Sequence, residues 1–200
     1  MATISLNKNT LAEERRKLQL FERYLPSLEL KQEQLTAEHK KATQILAKAE
    51  EGAHQASHSL DGLLPILGTT KMKLSGLVRV RRVELGEEDL LGVHLPTLGA
   101  VEFDTASYSF LATPFWFEAL VTCLKDVATY RIRLEVYRER AKRLEAGVRR
   151  ITQRVNLFEK VLIPNAKRNI ARIEIFLSDV ARAAVVTAKL AKRKRAEEAA

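Results

Sequence analysis

One cysteine, Cys123, stands in 200 residues, so no disulfide can close within the chain and no cysteine-built zinc cluster can form. Glycine and proline are scarce too, at 8 and 5, and aromatic residues make up only 6%. The chain thus has few turn formers and little of the bulky apolar mass from which a compact core is built. No apolar run reaches the length of a membrane span, and the opening MATISLNKNT lacks the charged-then-apolar order of a signal peptide. A soluble, cytoplasmic chain without direct membrane insertion is expected. The phosphate loop GxxxxGK[ST], HExxH and GxSxG are absent, so the reading is of a non-catalytic chain that holds no cofactor.

What the sequence does have is charge, at 30%, and long stretches rich in Ala, Leu, Glu, Lys and Arg, the composition of extended helices. The formal charge of +9 is unevenly spread: residues 118–200 carry 20 Lys or Arg against 10 Asp or Glu. That excess suits an acidic partner, nucleic acid or an anionic surface.

The first helix is expected to open at Thr10, with Glu13 completing a capping box, and to fade near Ser57–Leu60. Its apolar residues recur at heptad spacing. One row holds Leu11, Leu18, Leu25 and Leu46, with Gln32 and His39 as polar interruptions. The other holds Phe21, Leu28, Leu35, Ala42 and Ala49 and is opened by Glu14. Such 3–4 alternation makes a narrow stripe that faces one partner helix. Pro26 removes one donor and crowds the carbonyl at Glu22, which predicts a kink without a break, since the heptads continue in phase.

The C-terminal helix carries the stronger signal. One row runs Leu120, Val127, Leu134, Ala141, Val148, Val155, Leu162 and the other Cys123, Tyr130, Tyr137, Leu144, Ile151, Phe158. Beyond Pro164 the stripe resumes as Ala166, Ile170, Ile173, Leu177, Val180 and Ala184. The spacing 158, 162, 166, 170 is a stutter, which locally unwinds a left-handed supercoil. The helix is predicted over about Glu118–Lys194, roughly 115 Å at 1.5 Å per residue, against roughly 70 Å for the first.

Six of the eight glycines fall within residues 61–116. There LVRVRRVEL (Leu77–Leu85) reads as a strand, Gly86-Glu87-Glu88-Asp89 as a turn, Leu90–Leu95 as the returning strand and Ala100–Phe103 as a third. Tyr108, Phe110, Phe115, Trp116 and Phe117 are expected to pack this element onto the second helix.

The fold class is therefore mainly α: a long antiparallel two-helix coiled coil from the N- and C-terminal segments, with a small β-hairpin in the middle. The segments are 1–60, 61–117, 118–195 and a frayed tail at 196–200. Antiparallel pairing is predicted to set Leu11 opposite the region near Leu190. The end of the first helix would then meet Arg143, leaving Glu118–Lys142 for the middle segment to cover. The chemistry-bearing side chains are few. His54 and His58 share a helix face, but no third ligand accompanies them, so they read as surface histidines and no metal site is expected. Cys123 at a heptad position reads as an inert buried thiol.

YLPSLELKQEQL (Tyr24–Leu35), GVHLPTLGAVEF (Gly92–Phe103) and NLFEKVLIPNAKRNIARIEIFLSD (Asn156–Asp179) together resemble the D subunit of V-type and archaeal-type rotary ATPases. The resemblance spans nearly the whole chain. It implies a central-stalk rotor, cytoplasmic and peripheral to the membrane, that links ATP turnover or synthesis to transport of hydrogen or other ions. The implied partners are the catalytic A and B subunits, a small F subunit and a funnel-shaped subunit above the membrane ring. Arg182, Lys189, Lys192 and Arg193 are the expected contacts to the catalytic head. Val78, Val80, Val83, Leu90, Leu91 and Val93 are the expected contacts to the small partner. A different class of reading, a basic coiled coil that binds nucleic acid or serves as a scaffold or export stalk, predicts steeply salt-dependent DNA retention. No interleaved aromatics or DNA-reading module favour it, so no specific nucleic acid is expected.

Overall fold

A computed structural model describes residues 5–62, 64–69, 76–108 and 113–198. Along them run α1 (Lys8–Asp61), α2 (Leu64–Thr69), β1 (Val78–Leu90), β2 (Val93–Thr105), α3 (Trp116–Leu157) and α4 (Ile163–Glu198). A π-helical turn, Phe158–Leu162, joins α3 to α4. The fold is mainly α, with a long N-terminal helix, a long C-terminal helix and a two-stranded antiparallel hairpin between them in the sequence.

Asn7, not Thr10, caps α1: its Oδ1 accepts from the Thr10 backbone N–H at 2.7 Å and from the Thr10 hydroxyl at 2.9 Å. Thr10 sits at the third helical position, where the backbone N–H lacks an intrahelical acceptor and takes a side-chain oxygen instead. The helix runs through Pro26 without a break. At Pro164, which has no N–H to return to the preceding turn, the helix widens just upstream. The Ile163 N–H reaches back to the Phe158 carbonyl in the five-residue spacing of a π turn. The stutter in the sequence falls on this turn.

The chain divides into two compact units, residues 1–32 with 151–200, and residues 33–150. In the first, rising positions on α1 meet falling positions on the C-terminal helix, so the pairing is antiparallel. Gln32 Nε2 donates to Thr152 Oγ1 at 3.0 Å, and the rings of Phe21 and Phe158 stack edge-to-face at 5.5 Å. Lys167 pairs with Glu22 at 3.0 Å and Arg15 with Glu174 at 2.6 Å. Ile151, Val155, Ala166 and Ile173 are buried between the helices. The ion pairs place Leu11 against α4 near Leu177, about three and a half turns short of Leu190. A heptad stripe specifies which face is buried and leaves the axial offset open; cross-helix polar contacts decide it. Val180, expected in the stripe, lies opposite only the first turn of α1 and is 49% exposed.

Glu14 is the one buried charged residue among those described. Its carboxylate accepts from Lys17 Nζ at 2.8 Å and from Asn169 Nδ2 at 3.0 Å. The Lys17 bond first, then the Asn169 bond, hold its pKa below the ordinary carboxylate value of 4.5, against the opposing effect of burial. Because the folded value is the lower one, the stabilisation is present above about pH 4.5 and is lost as pH falls through the folded value. Urea titrations of the parent and Glu14→Gln should thus differ by roughly 1–3 kcal/mol at pH 7, and the gap should close progressively below pH ~4.5.

In the second unit α1 again opposes α3. Arg138 approaches Glu50 at 3.7 Å, and a Cβ on Gly52 would lie 3.2 Å from the Tyr130 ring. The last turns of α1 (Ala56, Ser59) share a groove with Ala119, Thr122 and Cys123 at the start of α3. The end of α1 thus reaches the beginning of α3, not Arg143, so α1 lies along the stretch that the middle segment alone was expected to cover. Cys123 is half-buried in this groove, and burial first, then the neighbouring Asp126, pushes its thiol above the ordinary value.

The hairpin also departs from expectation. Its turn is Leu91-Gly92, not Gly86–Asp89, and Ala100–Phe103 belongs to β2 and forms no third strand. A two-residue turn of type I′, one of the two that match right-twisted strands, has positive φ at both central positions. Gly92 has φ 79° and Leu91 has φ 55°, with the Gly92 N–H held by Asp89 Oδ1 at 2.8 Å. At the other end, Leu77 joins Trp116, Phe117, Leu120 and Val121 in a small core that Leu60, Leu67, Val78 and Tyr108 flank. Tyr108 and Phe117 stack at 4.8 Å. Phe115 is not part of it, being 95% exposed in the turn that precedes α3, and Phe110 lies outside the described residues.

Candidate partner-binding surfaces

The hairpin is laid along α3 by contacts at both ends. Its base packs on Trp116–Val121, while at its tip Glu88 pairs with Arg140 at 2.8 Å and Arg143 donates to the His94 carbonyl at 3.2 Å. A Cβ on Gly147 would stand 2.8 Å from Val93 Cγ2, so the strand approaches this helix closely where the side chain is missing. The lengths agree: 13 residues of strand span roughly 43 Å, and the helix from Trp116 to Gly147 roughly 46 Å.

The β1–β2 pairing is irregular at Val80/Arg82 and at Val83/Leu85. Val83 pairs with Val101 and both are half-buried, while Leu95, nearer the tip, is fully buried. Past the second irregularity Leu85 pairs with Leu98 and is 63% exposed. At this second irregularity β2 carries the extra residue, Gly99 and Ala100 standing against Glu84 alone, which is a β-bulge. Of the expected small-partner contacts, Val80 and Leu91 are exposed, Val78 flanks the aromatic core, Val93 sits on Gly147, and Val83 and Leu90 are half-buried. Leu85 is an exposed apolar residue that the sequence reading does not pick out, because its signal, the register of the hairpin, emerges only once the turn is located.

The second surface lies on α4. Every residue from 178 to 195 is exposed. Arg182, Lys189, Lys192 and Arg193 project here beside the exposed Val180, Val185, Val186 and Leu190. Asp179, 4.0 Å from Arg182, is the sole acidic residue of this stretch. A helix face that is both basic and apolar is suited to a protein partner with acidic side chains around an apolar seat.

Among the described residues, no group of three His, Cys, Asp or Glu could hold a metal ion, and no helix is long and apolar enough to cross a membrane. His58 Nδ1 lies 2.8 Å from Asp61.

The family of ATP synthase D subunits matches residues 10–193. The chain belongs to that family. The V-type ATP synthase D subunit of Chlamydia muridarum is 37% identical over 96% of this chain and 95% of its own length. The V-type ATP synthase D subunits of Chlamydia felis and Borreliella burgdorferi are 34% and 32% identical, each over 96% of this chain and over 93% and 95% of their own lengths. In this member of the ATP synthase D family, the terminal helices pair within each unit, and two surfaces face solvent: a hairpin seated on α3 and the exposed stretch of α4.

Proposed function

We propose that this chain is the central rotor of a V-type ATP synthase, coupling rotation to ATP turnover in a catalytic head of A and B subunits. The observation that carries the reading is the exposed, basic and apolar end of α4, residues 178–195, which extends past the start of its partner helix. Arg182, Lys189, Lys192 and Arg193 meet carboxylates inside the head. Two helices interlocked along a stripe resist bending and twisting better than one, which is the mechanical requirement for passing torque. The ion movement itself takes place in a membrane ring, which the lower end reaches through the funnel-shaped subunit.

The hairpin carries the small F subunit. Leu91 supports this: a bulky residue held at positive φ at the hairpin tip, about a third exposed, is strained, and such strain persists where a contact uses it. Val80 and Leu85 are further exposed apolar residues of the hairpin. The decisive experiment truncates the chain after Leu177 and assembles it with the other subunits. ATP-driven rotation should be abolished while the truncated chain keeps its helical spectrum. Full rotation and coupled turnover in the truncated complex would sink the proposal.

A further inference from the structure

The apolar stripe of the first unit does not by itself fix how far α1 is slid along its partner. Leu11, Leu18 and Leu25 repeat at seven-residue steps, and so do Val155 with Leu162 and Ile151 with Phe158 opposite. Sliding one helix by a heptad replaces one apolar side chain by another, and the buried apolar area scarcely changes. Yet within this unit two positions of the stripe on α1 are polar, and each is bonded across to the other helix: Glu14 to Asn169 and Gln32 to Thr152. The two bonds stand on either side of the π turn at Phe158–Leu162, where the phase of the C-terminal helix changes.

We infer that Glu14 and Gln32 are register-setting residues, whose bonds to Asn169 and Thr152 exclude the heptad-slipped pairings that the apolar stripe tolerates. A slip of seven residues carries the Glu14 carboxylate from Asn169 to Leu162 in one direction and to Phe176 in the other. Either way a buried charge loses its donor from the facing helix and gains an apolar neighbour. The flanking ion pairs discriminate in the same sense. One slip sets Arg15 against Lys167 in place of Glu174, and the other sets Glu22 against Glu174 in place of Lys167. Exposed pairs add little to stability, but a like-charge pairing in each alternative still separates it from the native register. The same polar residues that weaken an all-apolar seam therefore select one alignment of it.

The test uses spin labels on Ser27→Cys and Ser178→Cys in a Cys123→Ser background. Both positions are exposed and well separated along the helix axis, so a heptad slip moves the label distance by about 10 Å. The parent should give one narrow distance. Replacing the polar pairs with apolar ones (Glu14→Leu, Asn169→Leu, Gln32→Leu, Thr152→Val) should leave the helical spectrum intact and raise a second, displaced population to at least about one molecule in ten. Restoring Glu14 and Asn169 alone should return the single distance. A single unchanged distance in the apolar variant would overturn the inference. Loss of helical signal in that variant would also overturn it, by showing that the polar pairs hold the helices together instead of choosing between alignments.

Discussion

Leu144→Ala should destabilise the chain by about 2–5 kcal/mol, since a buried leucine loses both its transfer free energy and its packing when a cavity is left. Leu144 is 1% exposed, and Leu35 of α1 is another fully buried side chain of that unit. For a chain of this size the loss corresponds to roughly 5–15 °C in melting midpoint, easily read by circular dichroism. Leu30→Ala is the control. Leu30 is 56% exposed on the outer side of α1, and its truncation should stay within about 0.5 kcal/mol. An equal effect at the two positions would mean that the stripe does not organise the helix pair. Periodicity alone assigns Leu144 to the seam, because uninterrupted heptads leave no other face apolar.

The second large effect belongs to Gly147. In a helix interior glycine costs about 1 kcal/mol relative to alanine, so Gly147→Ala would be stabilising if the space were open. It is not open: the new Cβ would lie 2.8 Å from Val93 Cγ2, and the branched valine has little rotamer freedom with which to withdraw. Overpacking of roughly 1–3 kcal/mol outweighs the propensity gain, and more so for Gly147→Leu, which should lift the hairpin tip from α3. Hydrogen exchange of β1 and β2 amides should accelerate in Gly147→Leu. In the double variant Gly147→Ala, Val93→Ala the clash is gone, and stability should recover above that of Gly147→Ala alone. If Gly147→Leu protects those amides as well as the parent does, the hairpin is not seated on this glycine.

Both positions illustrate what was legible in the sequence and what was not. The helices, their extents and the buried face follow from a 3.5-residue apolar period that nothing else in the chain imitates. The stutter before Pro164 points to an irregular turn and finds its physical form in the π turn. The axial offset of α1 was not legible, because it depends on single contacts such as Arg15 with Glu174 that leave no periodic trace. The hairpin turn was hidden for a different reason. Gly86-Glu87-Glu88-Asp89 has the polar composition of a turn, yet Glu88 extends from the strand to Arg140 on α3. The real turn places leucine where asparagine or glycine is usual. Gly147 gave no signal either, since a glycine inside a helix declares its purpose only when the neighbouring strand is known.

The hairpin has one more consequence. A ribbon of two strands has no interior strand, so along both outer margins the backbone groups that a third strand would bind stay open to any other extended chain. Such margins invite edge-to-edge aggregation. Here the run Arg79, Arg81, Arg82, Glu84, Glu87, Glu88 and Asp89 lines β1 with charge, and the two pairing irregularities twist its margin out of the flat geometry that stacking requires. Charge and irregular pairing thus both oppose recruitment of a second copy of the ribbon along its edge.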